Sequence, residues 1–223
     1  MLAAHPTRAT GALIYWFDIR PDVVDDWLAW YLRDHMPSRV GTTFTTGRCF
    51  EAIDADASHM VLFETESPEA LLAPDYLQLL SNVSDDDRKR RGWYANTVRM
   101  TARVQTRIGA GIGSVLAVAR FDESTQGVES RQGRLLEQLA TVTGVGSVWI
   151  AEHDASIRAR MDAVRVTGHQ DRSARQALMI EASRDSDAAQ ALAMLSDAAH
   201  GQAQGGPSAV RIGRYRLLYA MAR

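Results

Sequence analysis

The feature that most constrains this chain is an order of elements that occurs twice: strand, helix, two strands, helix, strand. The first half opens on the apolar strand Ala12-Leu13-Ile14-Tyr15-Trp16-Phe17 and continues through Phe44–Phe50, Met60–Glu64 and Thr97–Met100. The second opens on Ser114–Ala119 and answers with Gly146–Trp149, Leu178–Glu181 and Ala209–Ile212. A period near half the chain is far longer than the ~20–50 residues of a solenoid repeat. It predicts two related domains of about 100 residues, each able to cover the other's sheet. The boundaries fall at residues 1–108, a Gly-rich linker at 109–113, and residues 114–223.

Pro21 opens a helix in which Val23, Val24, Trp27, Leu28, Tyr31 and Leu32 form one apolar stripe. Pro37 and Gly41 end it near His35. Strands at 44–53 and 59–65 follow with only a turn between them. That spacing makes a hairpin and argues against a doubly wound parallel sheet. Ser67-Pro68-Glu69 reads as a helix cap, with a break at Pro74, and Ser84–Asp87 as the cap of a turn ending in Arg88–Arg91. Over 97–108 the apolar residues alternate with polar ones, and Arg99, Arg103 and Arg107 read as a solvated face; if that face lined the barrel, it would indicate an anionic substrate. Gly109–Gly113 precedes a strand, so it reads as a flexible hinge and not as a phosphate loop. In the second half Leu135, Leu136, Leu139 and Val142 mark a helix, and the polar stretch 153–174 reads as an exposed excursion. A strand at 176–182, a helix at 185–199 and a strand at 209–220 complete the repeat.

A formal net charge of -2 gives no electrostatic reason to expect nucleic acid or an anionic membrane as partner. The single cysteine, Cys49, excludes an internal disulfide and reads as a buried structural thiol. Met1–Thr10 lacks the apolar core of a signal peptide, and the apolar stretches are of strand length. A soluble, cytoplasmic protein is the expectation.

No histidine pairs with another ligand type at a metal-binding spacing, and no serine sits in a nucleophile elbow. The best site candidate is Trp30–Pro37. Trp27, Tyr31 and His35 stand at successive i, i+4 positions on one helix face. His35 falls at the negative end of the helix dipole beside Asp34, which predicts a favoured protonated form. It reads either as a proton-exchanging group or as a cap on the last carbonyls.

The segment Trp27–Gly41, with Asp34-His35-Met36-Pro37 at its centre, resembles the EthD-like branch of the dimeric α/β-barrel superfamily, which also contains the antibiotic-biosynthesis monooxygenases. The order of elements matches over residues 12–108. The resemblance implies an α+β fold of two tandem ferredoxin-like βαββαβ units with antiparallel sheets, joined as an intrachain dimeric α/β barrel. It implies a pocket between sheet and helices, and chemistry without metal or organic cofactor on a small hydrophobic aromatic or carbonyl compound. His35 becomes the catalytic acid or base, with decarboxylation, isomerisation or oxygenation as the reaction. Arg48, on the strand after the motif, is a candidate catalytic partner for a carboxylate or enolate oxygen. Trp27, Tyr31, Trp93 and Tyr94, with Trp149 and His153 from the second half, are candidates for the substrate wall. Thr141–Gly144 stands where the second half would carry the motif, so one pocket is expected, complete in a monomer or in each protomer of a homodimer. The alternative is a non-catalytic small-molecule-binding or accessory protein using the same pocket. Haem binding or degradation, known elsewhere in the superfamily, is a third option.

Overall fold

The computed structural model describes residues 9–121, 129–166, 171–200 and 210–223. Eight strands form its centre: β1 (Gly11–Ile19), β2 (Thr46–Asp54), β3 (His59–Thr65), β4 (Tyr94–Gly109), β5 (Val115–Phe121), β6 (Val145–His153), β7 (Gln176–Ala182) and β8 (Val210–Ala222). All pairings are antiparallel, and the ring β1-β3-β2-β8-β5-β7-β6-β4 closes within one chain. The first half contributes β4-β1-β3-β2 and the second β8-β5-β7-β6, the same ferredoxin-like order. Pairing of β2 with β8 and of β4 with β6 joins the halves and leaves no open edge.

Alternation along the strands sends one set of side chains into the barrel and the other towards the helices. The interior holds Ile14, Trp16, Phe50, Leu62, Met100, Trp149, Met179 and Tyr215. At one end it also holds ions. Arg48 bonds Glu181 at 2.7 Å and lies 3.4 Å from Glu64, which Arg107 also meets at 2.7 Å. Two guanidiniums against two carboxylates neutralise this end, so the charges are spent on one another.

The helices are α1 (Val24–Trp30), α2 (Pro74–Ser81), α3 (Asp85–Arg91), α4 (Glu129–Ala140), α5 (Ala155–Val164) and α6 (Asp185–His200). Ser84 Oγ accepts from Asp87 N to cap α3, as the sequence predicts. Ser67 makes no such bond: Pro68–Leu72 is a separate 3-10 turn, and α2 starts at Pro74.

Three further expectations are corrected. The Gly109–Gly113 segment is tied down: Gly111 N donates to Gly146 O at 3.1 Å and Gly113 N to Glu181 Oε2 at 3.1 Å. A Cβ at Gly113 would lie 2.2 Å from Ala182 O, so glycine serves close approach there. Of the predicted exposed excursion 153–174, residues 153–166 and 171–174 are described (167–170 lie outside the described residues), and those are not an excursion. They contain α5, capped by Asp154, which buries Ile157 and Met161 in the first half's outer core. The arginines of β4 do not share one solvated face. A register shift between Val104 and Thr106 turns Arg107 inward, Arg99 is fully buried on the outer side, and Arg103 alone is exposed.

Candidate active site

Outward-facing positions of β1 place Leu13, Tyr15 and Phe17 on the side of the sheet that faces the first half's helices, and β3 adds Phe63. These residues floor a narrow, open cleft. Helical residues Tyr31, His35, Tyr76 and Leu80 form one side, with Arg39, Arg91, Tyr94 and Thr97 at its margins. Arg165 and Asp171 come from the second half, so the α5 segment completes a wall of the first half's cleft. The mixture of aromatic surface with a few polar groups suits a small ligand.

His35 is positioned by a change in helix geometry. Tyr31–His35 continues α1 as a single π-helical turn, a local widening often found at functional sites. The imidazole lies 4.6 Å from the Trp30 ring and 4.8 Å from the Tyr31 ring, centroid to centroid. Desolvation by these rings, reinforced by the nearby Arg39 and Arg91 guanidiniums, holds its pKa well below the usual histidine value. The expectation of a favoured imidazolium is therefore reversed: burial and two cations outweigh the dipole and the solvent-exposed Asp34. Nor does the ring cap the helix. The His35 carbonyl accepts from Ser38 Oγ and Arg39 Nη1, both at 2.9 Å.

Tyr15 differs from the other phenols here. Burial raises Tyr31, Tyr76 and Tyr94, with Tyr76 reaching about 12. Burial also acts on Tyr15, but Arg99 and Arg165 outweigh it and pull that phenol below its ordinary value. Arg99 lies under the hydroxyl, with Nη1 at 3.5 Å, and is held by ion pairs to Asp162 and, at 3.4 Å, to Asp171.

The structure gathers only part of the sequence-predicted set. Tyr31, His35 and Tyr94 line the cleft. Trp27 lies behind them, its Nε1 donating to Tyr94 Oη at 2.7 Å. Trp93 packs at the edge of the same core without lining the cleft. Arg48 and Trp149 are inside the barrel, on the opposite face of the sheet from His35. His153 ends β6, where Nδ1 meets Thr101 O at 3.0 Å. Cys49 is buried, and its thiol is pushed up to about 12, chiefly by that burial. Sequence reasoning missed Tyr15, Arg39, Arg91, Arg165 and Asp171. The alternation Leu13, Tyr15, Phe17 was a usable signal for the first; nothing local marks the last two. Among the described residues, no three His, Cys, Asp or Glu side chains converge as a metal site.

No family model matches the chain, and no curated protein matches it by sequence. Solved structures do. A candidate monooxygenase from Fusobacterium nucleatum superposes with a TM-score of 0.58 at 9% identity, covering 96% of this chain and 95% of that one. An anthrone oxidase-like protein gives 0.54 at 11%, covering 97% and 94%. A candidate chlorite dismutase gives 0.54 at 7%, covering 95% of each. The chain has the dimeric α/β-barrel fold. At these identities the likeness is one of architecture, and both halves of the barrel fall within it. No helix among the described residues is long and apolar enough to cross a membrane.

Proposed function

We propose that the cleft is the active site of an enzyme that acts on a small aromatic or carbonyl compound without an organic cofactor, with His35 as general base. The observation that carries this reading is the His35 imidazole lining an aromatic cleft together with Arg39 and Arg91, with burial holding its pKa below the usual histidine value. A neutral ring is the form that accepts a proton, and the flanking guanidiniums stabilise the negative charge that forms on the substrate. His35 takes a proton from an acidic C–H or O–H, leaving a carbanion, enolate or phenolate. Protonation at another carbon would complete an isomerisation, and loss of carbon dioxide a decarboxylation. Reaction with dioxygen as oxidant would complete an oxygenation. The names of two proteins sharing the fold, monooxygenase and anthrone oxidase-like, support the last.

The test is product formation from anthrone, and from small molecules that co-purify with the full chain. His35→Gln should lower the rate by about 10²–10⁴-fold; an unchanged rate refutes the role.

A second reading has its own support. Among the described residues no hydrogen bond orients the His35 ring, unlike the tethered bases of many acid–base sites. A binding protein using the same cleft fits that observation. Tight binding of a co-purified compound with no turnover by the wild type would establish it.

A further inference from the structure

The charges around the cleft do not balance. Among the described residues its lining carries Arg39, Arg91 and Arg165 against one carboxylate, Asp171. That carboxylate is already shared: Arg165 meets it at 2.5 Å, Arg99 at 3.4 Å and Arg158 at 3.9 Å. Asp171 is buried and has nothing left for the other two arginines. Among the described residues neither Arg39 nor Arg91 has a carboxylate within ion-pair distance. Arg39 instead spends Nη1 on the His35 carbonyl and Ser38 Oγ. His35 does not offset these cations. The floor of the cleft is mainly apolar, with Leu13, Phe17 and Phe63. A neutral ligand would leave two guanidiniums facing a partly desolvated space, whereas an anion supplies their counter-charge.

We infer that the cleft is specific for a planar aromatic anion, an aryl carboxylate or acidic phenol, whose rings lie on the floor built by β1 and β3 while Arg39 and Arg91 hold its charged group. This rests on the proposed use of the cleft and narrows it to a substrate class. Arg99, Arg158 and Arg165 neutralise the second half's Asp171, which would otherwise repel such a ligand.

The test is isothermal titration of the full chain with 2-naphthoate and with its uncharged isostere 2-naphthamide. Naphthoate should bind at least about tenfold more tightly, the scale of a charge-assisted hydrogen bond. Arg91→Gln should remove most of that preference, Arg91→Lys should keep part of it, and Arg20→Gln, in an exposed pair with Asp22, should leave it intact. Because Arg39 also braces the helix end, Arg91 is the cleaner position to change. Equal binding of the two probes overturns the inference. So does a preference that survives Arg91→Gln combined with Arg39→Gln, or no binding of either probe below about 1 mM. His35→Gln separates this from the functional reading. Charge-selective binding with turnover unaffected by that variant sinks the catalytic role alone; charge-blind binding with turnover lost sinks the ligand class alone.

Discussion

The two halves of the barrel use one topology to opposite ends. On the outer face of the first, β1 and β3 present Leu13, Tyr15, Phe17 and Phe63. At matching places in the second, β5 and β7 present Ala117, Ala119, Phe121 and Ile180. The register confirms the match: Leu13 pairs with Phe63, and Ala117 with Ile180. Over the small residues, α4 and α6 settle close on the strands and fill the space with Leu136, Leu139, Ala188 and Ala191. Over the large ones, α1 and α2 do not approach the strand backbone as closely, and a cleft remains between them. Large side chains thus act as spacers in one half, and alanines close the other. The second half then lends α5 and Asp171 to the first half's cleft, so the closed half still shapes the open one.

Four changes would break or sharpen this contrast. The largest effect is expected at His35: turnover should fall by orders of magnitude in His35→Gln. Thr143→Ala, in the segment that replaces the histidine motif in the second half, should leave turnover unchanged; equal losses would show that the halves share the chemistry. Next comes the joint between them. Arg48→Met leaves Glu181 in the barrel interior without a cation and Glu64 with Arg107 alone, and should cost about 3–5 kcal/mol in urea denaturation. A loss below about 1 kcal/mol would mean that water or relaxation satisfies those carboxylates.

Filling each outer face tests the spacer argument directly. Ala117→Phe overpacks the closed half and should destabilise it by about 1–3 kcal/mol. Leu13→Phe points into the cleft, so it should cost less and weaken ligand binding instead. Equal thermal shifts for the two would overturn the contrast.

The smallest effect is in pH dependence. Burial lowers the pKa values of His35, His59 and His153 in the folded state. The unfolded chain therefore binds more protons below about pH 6.5, and stability falls as pH drops through that value. His35→Gln should flatten part of this slope in thermal melts. The acid limb of the turnover profile should likewise lie below the usual histidine range, and a limb above it would contradict a neutral His35.

Much of this was legible in the residues. Alternation in β1, the hairpin between β2 and β3, and the repeated order of strands are local patterns, and they led to the barrel. Trp27, Tyr31 and His35 were legible because i, i+4 spacing puts side chains on one helix face. Arg48 was placed correctly on its strand but not on the right side of the sheet, since a candidate role does not say which phase of a period-2 pattern faces the pocket. Arg107 was misread for a related reason: a bulge changes the phase without leaving a clear sequence signal.

By itself, the sequence determined the elements of the repeated strand–helix order, α5 excepted, and the aromatic character of the first half's helix and strands. These follow from short-range sterics and periodicity. The charge state of His35, the partners of Arg99 and the wall supplied by Arg165 and Asp171 were decided by the tertiary structure. Each depends on groups that stand far apart along the chain, such as Tyr15, Arg99 and Asp171. Desolvation and ion pairing act through space, and only closure of the barrel brings those groups together.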